Sequence, residues 1–490
     1  MGRFQRAIGA LILGAAVLGA LLLWVAVSSS DRAPGKAPKH GFVLGAWEVL
    51  YDTQAPSTPV LLAAAGLALL FAAGVALLER RITTRARRSE DLRRLPLAPK
   101  IVMAETHGIY HGPVTITVLV PAHNEAGCIA QTLTSLLSQS HRPERVIVVA
   151  DNCSDATEDI ALGLGVEVFR SVGNTRKKAG ALNQALAVLL PTQGENDLVM
   201  VMDADTTLDD GFLEAAVRRM SDDRALMAIG GLFYGEEGKG LLGQFQRNEY
   251  IRYAREIRRR RGRVFVLTGT ASLFRPRALR TVAEQRGRAL PGVPGDVYDT
   301  IALTEDNELT LALKSLGGLM ISPPECTVVT EVMPTWKALW VQRLRWQRGA
   351  LENLGAYGLT PQTFRYWAQQ LGIGYGVIAL SSYLLLLVLM MVSLDHWVWF
   401  PFWLGIGAVF AVERLVTVWR AGTAARLLGA ALLPELVFAM VLNAVYLKGI
   451  IDISLGRTPR WEHGTTASAL AAASAAAAPD RELEPLGGRR

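Results

Sequence analysis

Asp203 and Asp205, in the segment VMDADTT, are separated by one residue. In extended backbone, residues i and i+2 project to the same side. The two carboxylates would then present hard oxygen ligands together, a set that suits Mg²⁺ or Mn²⁺ bridging to a diphosphate. An acidic pair after a strand also reads as a turn and helix N-cap, so the pair gains meaning only from its company. That company is substantial. Pro121-Ala122-His123-Asn124-Glu125 closes one apolar run and Asp151-Asn152 closes another. Further along come Thr304-Glu305-Asp306 and Gln342-Arg343-Leu344-Arg345-Trp346. Carboxylates at the ends of buried strands are costly unless a metal or the donors of a ligand compensate them.

The elements that must hold these residues read as an α/β domain. Apolar strands are expected at Thr115–Val120, Val146–Ala150, Val166–Phe169 and Leu198–Met202. Helix-period segments lie between them at about 125–139, 155–164, 177–190 and 209–220. Near-continuous apolar strands alternating with helices predict a mainly parallel sheet covered on both faces. Such sheets bind ligands at the carboxyl ends of their strands, which is where the acidic residues fall.

PAHNE, the lone Asp151, DAD, TED and QRLRW occur in that order in one segment. With them, the chain resembles the membrane-integrated, processive members of glycosyltransferase family 2. These include the cellulose, hyaluronan, chitin and poly-N-acetylglucosamine synthases. The resemblance runs from about residue 58 to 350, and more loosely to 460. It implies a GT-A-type nucleotide-sugar-binding domain inserted between N- and C-terminal transmembrane helices. The implied reaction passes a sugar from a UDP-sugar donor to a growing glycan acceptor, inverting an α-linked donor into a β-linkage.

The resemblance also implies roles. Pro121, Asn124 and Glu125 would line the donor site, and Asp151 would hydrogen-bond the uracil or ribose. Asp203 would contact the nucleotide, and Asp205, with Asp203, would hold a divalent cation, Mg²⁺ or Mn²⁺, on the diphosphate. Lys178, in RKKAGALNQAL, would neutralise phosphate or bind ribose; its alternative is a solvated lysine at a helix end. Asp306 would be the general base, because a hydroxyl is a poor nucleophile until a positioned carboxylate takes its proton. Sequence does not separate Asp306 from Glu305, which is placed on the acceptor side. Gln342, Arg343, Arg345 and Trp346 lie in a helix-like stretch, Thr335–Gly349. Arginine suits bidentate diphosphate contact and Trp346 offers a flat platform for a sugar. The same stretch reads as an amphipathic helix at a membrane interface, anchored by Trp336, Trp340 and Trp346. Leu267-Thr268-Gly269-Thr270-Ala271 resembles the acceptor-side turn of the family, with Gly269 and Thr270 at the terminal sugar; a simple β-turn is the alternative. No cysteine occurs there, unlike in cellulose synthases. His123 reads as a loop residue, and Arg258–Arg263 as a basic face.

Composition fits this organisation. Of 490 residues, 50% are hydrophobic and 19% charged, below the roughly one quarter charged that is usual in soluble domains. That excludes whole-chain disorder. Three cysteines without metal-ligand spacing exclude a disulfide scaffold and a zinc site. The net charge of +7 is concentrated in arginine clusters lacking the aromatic interleaving of nucleic-acid binders, so no nucleic-acid partner is expected. Uncharged runs at 7–27 and 59–78 reach spanning length. ERRITTRARR follows the second, and the positive-inside rule then places the following domain in the cytosol. Segments near 371–393, 399–418 and 430–452 are further candidate spans. Glu413, Arg414, Glu435 and Lys448 lie within or beside the last two, and intramembrane charges are often functional.

The expected organisation is two N-terminal spans to residue 80, a cytosolic catalytic domain over 81–365, C-terminal spans over 366–455 and a disordered Ala-rich tail from 456. A multi-pass protein of a bacterial plasma membrane is expected, in contact with the lipid bilayer and with an accessory membrane or export subunit as a possible partner. Two other readings compete: a single-transfer enzyme acting on a lipid carrier, and an inactive membrane scaffold or nucleotide-sugar sensor. QRLRW favours polymerisation over the first, and the intact Asp205 and Asp306 argue against the second.

Overall fold

A computed structural model of the chain describes residues 39–43, 47–51, 58–107, 112–260, 262–392 and 401–458. The expected first span at 7–27 and most of the Ala-rich tail lie outside the described residues. Near the N-terminus, β1 (Lys39–Val43) and β2 (Trp47–Tyr51) pair antiparallel.

The catalytic-domain candidate is built on a seven-stranded sheet. Its strands, in chain order, are β3 (Thr115–Ala122), β4 (Arg145–Ala150), β5 (Glu167–Arg170) and β6 (Asp197–Met202), then, beyond the short β7 (Thr206–Leu208), β8 (Leu226–Gly230). After β9 (Leu232–Gly235) come β10 (Ala271–Phe274) and β11 (Leu319–Ile321). The spatial order is β11-β8-β10-β6-β3-β4-β5. The four strands read from sequence form the parallel half. The apolar runs of β3, β4 and β6 are buried on both faces, as parallel strands under helices must be, while β5 at the sheet edge is only partly buried. Side chains alternate: Ile116, Val118 and Val120 face one core with Leu133 and Phe212, while Leu119 faces the other with Leu182 and Leu186.

The sheet is mainly parallel, as expected, but one strand makes it mixed. β10 runs antiparallel to both neighbours, β6 and β8. The consequence for the site is direct. Ala271, the first residue of β10, pairs with Met202, the last of β6. The turn preceding β10, which holds Gly269 and Thr270, is therefore delivered to the same sheet edge as Asp203. A smaller sheet pairs β12 (Thr327–Thr330) with β7 and β9.

Long helices flank this domain. Thr58–Arg87 contains the predicted 59–78 run and continues through the arginine cluster. Phe364–Val392, Pro401–Thr417 and Leu432–Ser454 cover the three C-terminal candidates. Among the described residues, one helix, Leu432–Ser454, is long and apolar enough to cross a membrane by length and composition.

Candidate active site

Three neighbouring strands, β6, β3 and β4, end at one edge and deliver the acidic residues there. Asp151 continues β4, its N–H donating to Ala122 O at 2.9 Å. Its side chain is 7% exposed. Oδ1 accepts from Ser171 at 2.7 Å, Asn174 at 2.8 Å and Asn152 at 3.0 Å. Pro121 lies in β3 opposite Val149. Asn124 Oδ1 accepts from the Ser154 N–H at 2.7 Å, tying the end of β3 to the loop after β4. His123 Nδ1 lies 2.5 Å from Asp151 O. Asn124, Asn152 and Lys177 all adopt left-handed backbone, with φ of 59°, 51° and 57°. Asparagine enters this region readily, its short side chain bonding locally, whereas Lys177 does so less often.

Asp203 and Asp205 do not come together as residues of an extended strand. They sit in the turn between β6 and β7, where the Thr206 N–H donates to Asp203 O at 3.3 Å. The expected same-side projection is thus replaced by turn geometry, and the two side chains have different partners. Asp203 Oδ1 accepts from Lys178 Nζ at 2.5 Å. Asp205 Oδ1 accepts from the Thr206 hydroxyl at 3.1 Å. Burial pushes the Asp205 carboxyl up to about 7, and the charges of Asp203, Glu125 and Glu331 add to the rise. Glu125 is raised too, first by burial and then by Asp203 and Asp155, against a hydrogen bond from Cys128. These oxygens are all hard donors. Among the described residues, no group of three or more His, Cys, Asp or Glu side chains is placed to hold an ion unaided. A cation here would need oxygens from a ligand as well.

Lys178 is the hinge of the arrangement. Besides Asp203, its Nζ contacts Glu305 Oε1 at 2.9 Å. Burial alone would lower its pKa, but the two carboxylates hold it well above the ordinary lysine range. Reciprocally, burial would raise Glu305, and the Lys178 charge and hydrogen bond outweigh it, leaving Glu305 below its ordinary value. Gly269 closes over this pair. A Cβ on it would stand 3.2 Å from both Asp203 Oδ2 and Lys178 Nζ. Asp203 N–H donates to Thr270 O at 3.3 Å, and the Thr268 and Thr270 hydroxyls share a 2.8 Å hydrogen bond.

Asp306 occupies the first turn of the helix Glu305–Ser315. Its Oδ2 accepts from the Gly269 N–H at 3.0 Å and its Oδ1 from the Asn307 N–H at 2.7 Å. Burial, with the neighbouring Glu305 charge, pushes its carboxyl up to about 6, despite Lys178 and the two backbone donors. Two adjacent carboxylates thus have opposite characters. Glu305 is an ion-paired anion, whereas burial raises the Asp306 carboxyl.

Gln342, Arg343, Arg345 and Trp346 lie on the helix Trp336–Tyr357, eight residues longer at its C-terminus than expected. The side chain of Thr335 caps it, accepting from the Ala338 N–H at 3.2 Å. Arg345 is near enough for its charge to act on Glu305 and Lys177. Arg343 is placed differently. It is 3% exposed, donates to Glu249 at 2.8 Å and to Tyr250 OH at 3.4 Å, and stacks 4.3 Å from the Trp346 ring. Gln342 Oε1 accepts from Arg343 at 3.2 Å. The structure therefore brings Asp151, Lys178, Asp203, Asp205, Gly269, Glu305 and Asp306 to one edge, with Arg345 beside them. Arg343 is packed into the wall behind Trp346.

Sequence reasoning missed the residues behind the helix Glu305–Ser315. Asn353 and Tyr357 reach it from the helix Trp336–Tyr357, and Arg286 grips Glu308 through two hydrogen bonds of 2.5 and 2.7 Å. The signal was present as a stripe: 342, 346, 349, 353 and 357 recur at helical spacing.

Residues 117–283 match the family model described as Glycosyl transferase family 2. Over 245 residues the chain is 28% identical to a poly-beta-1,6-N-acetyl-D-glucosamine synthase of Staphylococcus aureus, covering 49% of this chain and 55% of that one. It is 30% identical over 247 residues to the probable glycosyltransferase YdaM of Bacillus subtilis, covering 48% and 54%. The chain thus spans about half the length of the curated relatives it matches. A solved structure, the mannosyltransferase PcManGT from Pyrobaculum calidifontis in complex with GDP-Man and Mn²⁺, aligns at a TM-score of 0.41 and 18% identity, over 80% of this chain and 99% of that one. With the motifs PAHNE and DAD inside the matched segment, residues 117–283 are a domain of glycosyltransferase family 2.

Proposed function

We propose that the protein is a membrane-bound, inverting glycosyltransferase that uses a UDP-sugar and a divalent cation to extend a β-linked polysaccharide and pass it across the membrane. One observation carries the reaction. Asp306, with its carboxyl near 6, is hydrogen-bonded to the Gly269 turn that covers the Lys178–Asp203 pair. A proton acceptor and a phosphate-binding cluster are thereby joined through one backbone turn.

In this reading the acceptor hydroxyl loses its proton to Asp306 as its oxygen bonds to the anomeric carbon. The bond from that carbon to the diphosphate oxygen breaks, and UDP leaves with the electron pair. Asp306, rather than Glu305, suits the base, because Glu305 is committed to Lys178. Asp205, with Asp203, would hold Mg²⁺ or Mn²⁺ against the diphosphate, and the cation would act as a Lewis acid on the leaving group. Asp151 is rigidly held for the nucleoside, and Lys178 and Arg345 supply positive charge beside the phosphates. Trp346, against which Arg343 stacks, would offer a flat platform for a sugar ring.

Membrane placement is supported by the apolar surfaces of the flanking helices. Leu67, Leu70 and Phe71 on Thr58–Arg87 are exposed, as are Leu385 and Val388, Val409 and Val412, and Leu433 and Val437 on the C-terminal helices. Exposed apolar surface on several long helices calls for a nonpolar surrounding. The curated relative named as a poly-beta-1,6-N-acetyl-D-glucosamine synthase makes N-acetylglucosamine the first donor to try. The test is to incubate detergent-solubilised protein with a panel of UDP-sugars, measuring UDP release and product size. Long products with one donor support the reading. Addition of one sugar per acceptor, at excess donor, would leave single transfer to a lipid acceptor in its place.

A further inference from the structure

The helix carrying Glu305 and Asp306 begins at Thr304, and its first turn is gripped from outside the donor site. Asn353, 4% exposed, directs its amide nitrogen at Thr304 O (3.1 Å), Thr304 Oγ1 (3.2 Å) and Asn307 Oδ1 (3.0 Å). One buried side chain therefore contacts the residues on both sides of Glu305 and Asp306. Thr304 is itself 6% exposed and Asn307 8%, so water is not at hand to replace the contact. One turn earlier on the same face of the Trp336–Tyr357 helix stands Gly349. A Cβ there would lie 2.5 Å from Thr304 Oγ1 and 2.8 Å from its Cγ2. The helix thus approaches Thr304 more closely than any residue with a side chain would allow, and this brings Asn353 within reach.

We infer that Asn353 is a positioning residue for the reaction: by holding Thr304 and Asn307 it fixes the place of Asp306 under the Gly269 N–H. The inference rests on the reading of Asp306 as general base. Its physical basis is that a first helical turn is held less firmly than the interior, because its N–H groups lack intrahelical acceptors. Asn353, a donor, does not replace those acceptors but pins the turn from outside, through the Thr304 carbonyl that also accepts from the Glu308 N–H and through two side-chain oxygens. Here the side chain of Thr304 makes no capping bond to its own helix. Asn353 binds that side chain and its carbonyl, and it also binds the side chain of Asn307, whose N–H holds Asp306 Oδ1. A base displaced by about 1 Å can lose on the order of 10²-fold in rate.

Asn353 contacts neither the Lys178–Asp203 pair nor Asp151, so its loss should spare donor binding. In Asn353→Ala, kcat should fall about 10- to 100-fold, with KM for the UDP-sugar and the affinity for UDP changing little. Asn353→Ser, which keeps one short donor, should lie between Ala and wild type. The decisive comparison places Asn353→Ala in an Asp306→Asn background. If Asn353 acts through Asp306, it should cost little there, because residues that work as a unit are not additive. An equal fold loss in both backgrounds would overturn the inference, as would a parallel loss of UDP affinity in both Asn353 variants, which marks a general structural role. Near-normal turnover by Asp306→Asn alone would instead remove the base assignment, an outcome separate from either of these.

Discussion

Lys178 donates to Asp203 across 2.5 Å and reaches Glu305 at 2.9 Å. One ammonium thus joins the carboxylate at the end of β6 to the carboxylate that precedes the candidate base. Replacing it with methionine keeps the bulk and removes the charge. Lys178→Met should weaken UDP-sugar binding and leave Glu305 a buried anion without its partner. Removing one member of a buried pair costs about 3–5 kcal/mol, and partial exposure here puts the expected loss at the low end. Titration of UDP by calorimetry checks the first effect and thermal unfolding the second. Unchanged affinity would detach Lys178 from the donor site.

The two arginines of QRLRW should separate. Arg343 is buried against Glu249, Tyr250 and Trp346, so Arg343→Ala should lower thermal stability and shorten the product by loosening Trp346. Removing a buried charged hydrogen-bonding partner costs roughly 1.5–3 kcal/mol. Arg345→Ala should leave the melting temperature near wild type and reduce turnover. Melting curves alongside UDP release for the two variants decide it. A stable, inactive Arg343→Ala would return Arg343 to the donor site.

Divalent cations should be required. Excess EDTA should stop UDP release, Mg²⁺ or Mn²⁺ should restore it, and Asp205→Ala should resist restoration. Burial, with like charges beside it, raises the Asp205 carboxyl to about 7, so apparent cation affinity should fall as the pH drops through that value, since protons compete for the same oxygens. Full activity in EDTA would remove the metal from the account.

A buried ion pair ties the catalytic domain to the C-terminal helices. Arg252, on the helix Gly240–Arg259, makes two hydrogen bonds to Glu435 at 2.7 and 2.9 Å, and Asn248 adds a third at 3.2 Å. Glu435 is 3% exposed. Glu435→Ala should destabilise the solubilised protein by about 3–5 kcal/mol through the orphaned Arg252. Thermal unfolding in detergent measures this, and an unchanged melting temperature would contradict it.

Legibility in the sequence followed the physics of each element. The strands at 115–122, 145–150 and 197–202 could be read because both faces are buried, which leaves unbroken apolar runs. Their terminal acidic residues were visible for the same reason, as polar groups interrupting apolar sequence. β10 was not legible. It has four residues, and its antiparallel direction is set by tertiary pairing with β6 and β8 rather than by local pattern. The meeting of Gly269 with Asp203 and Asp306 was hidden with it. The role of Arg343 was hidden too, since its partner Glu249 lies 94 residues away. Asn353 carried a helical spacing from Trp346, but its target Thr304 is 49 residues distant.

The central claim is that Asp306 takes the proton of the acceptor, and the most direct measurement is the pH dependence of kcat/KM for wild type and Asp306→Asn. A base is competent only when deprotonated, so the wild-type rate should fall as pH drops through about 6. With the divalent cation saturating at every pH, Asp306→Asn should lose about 10²- to 10⁴-fold, lack that acid limb, and still bind UDP-sugar with near wild-type affinity. Near-normal turnover in Asp306→Asn with the acid limb intact would contradict the claim, and Glu305 would become the residue to test.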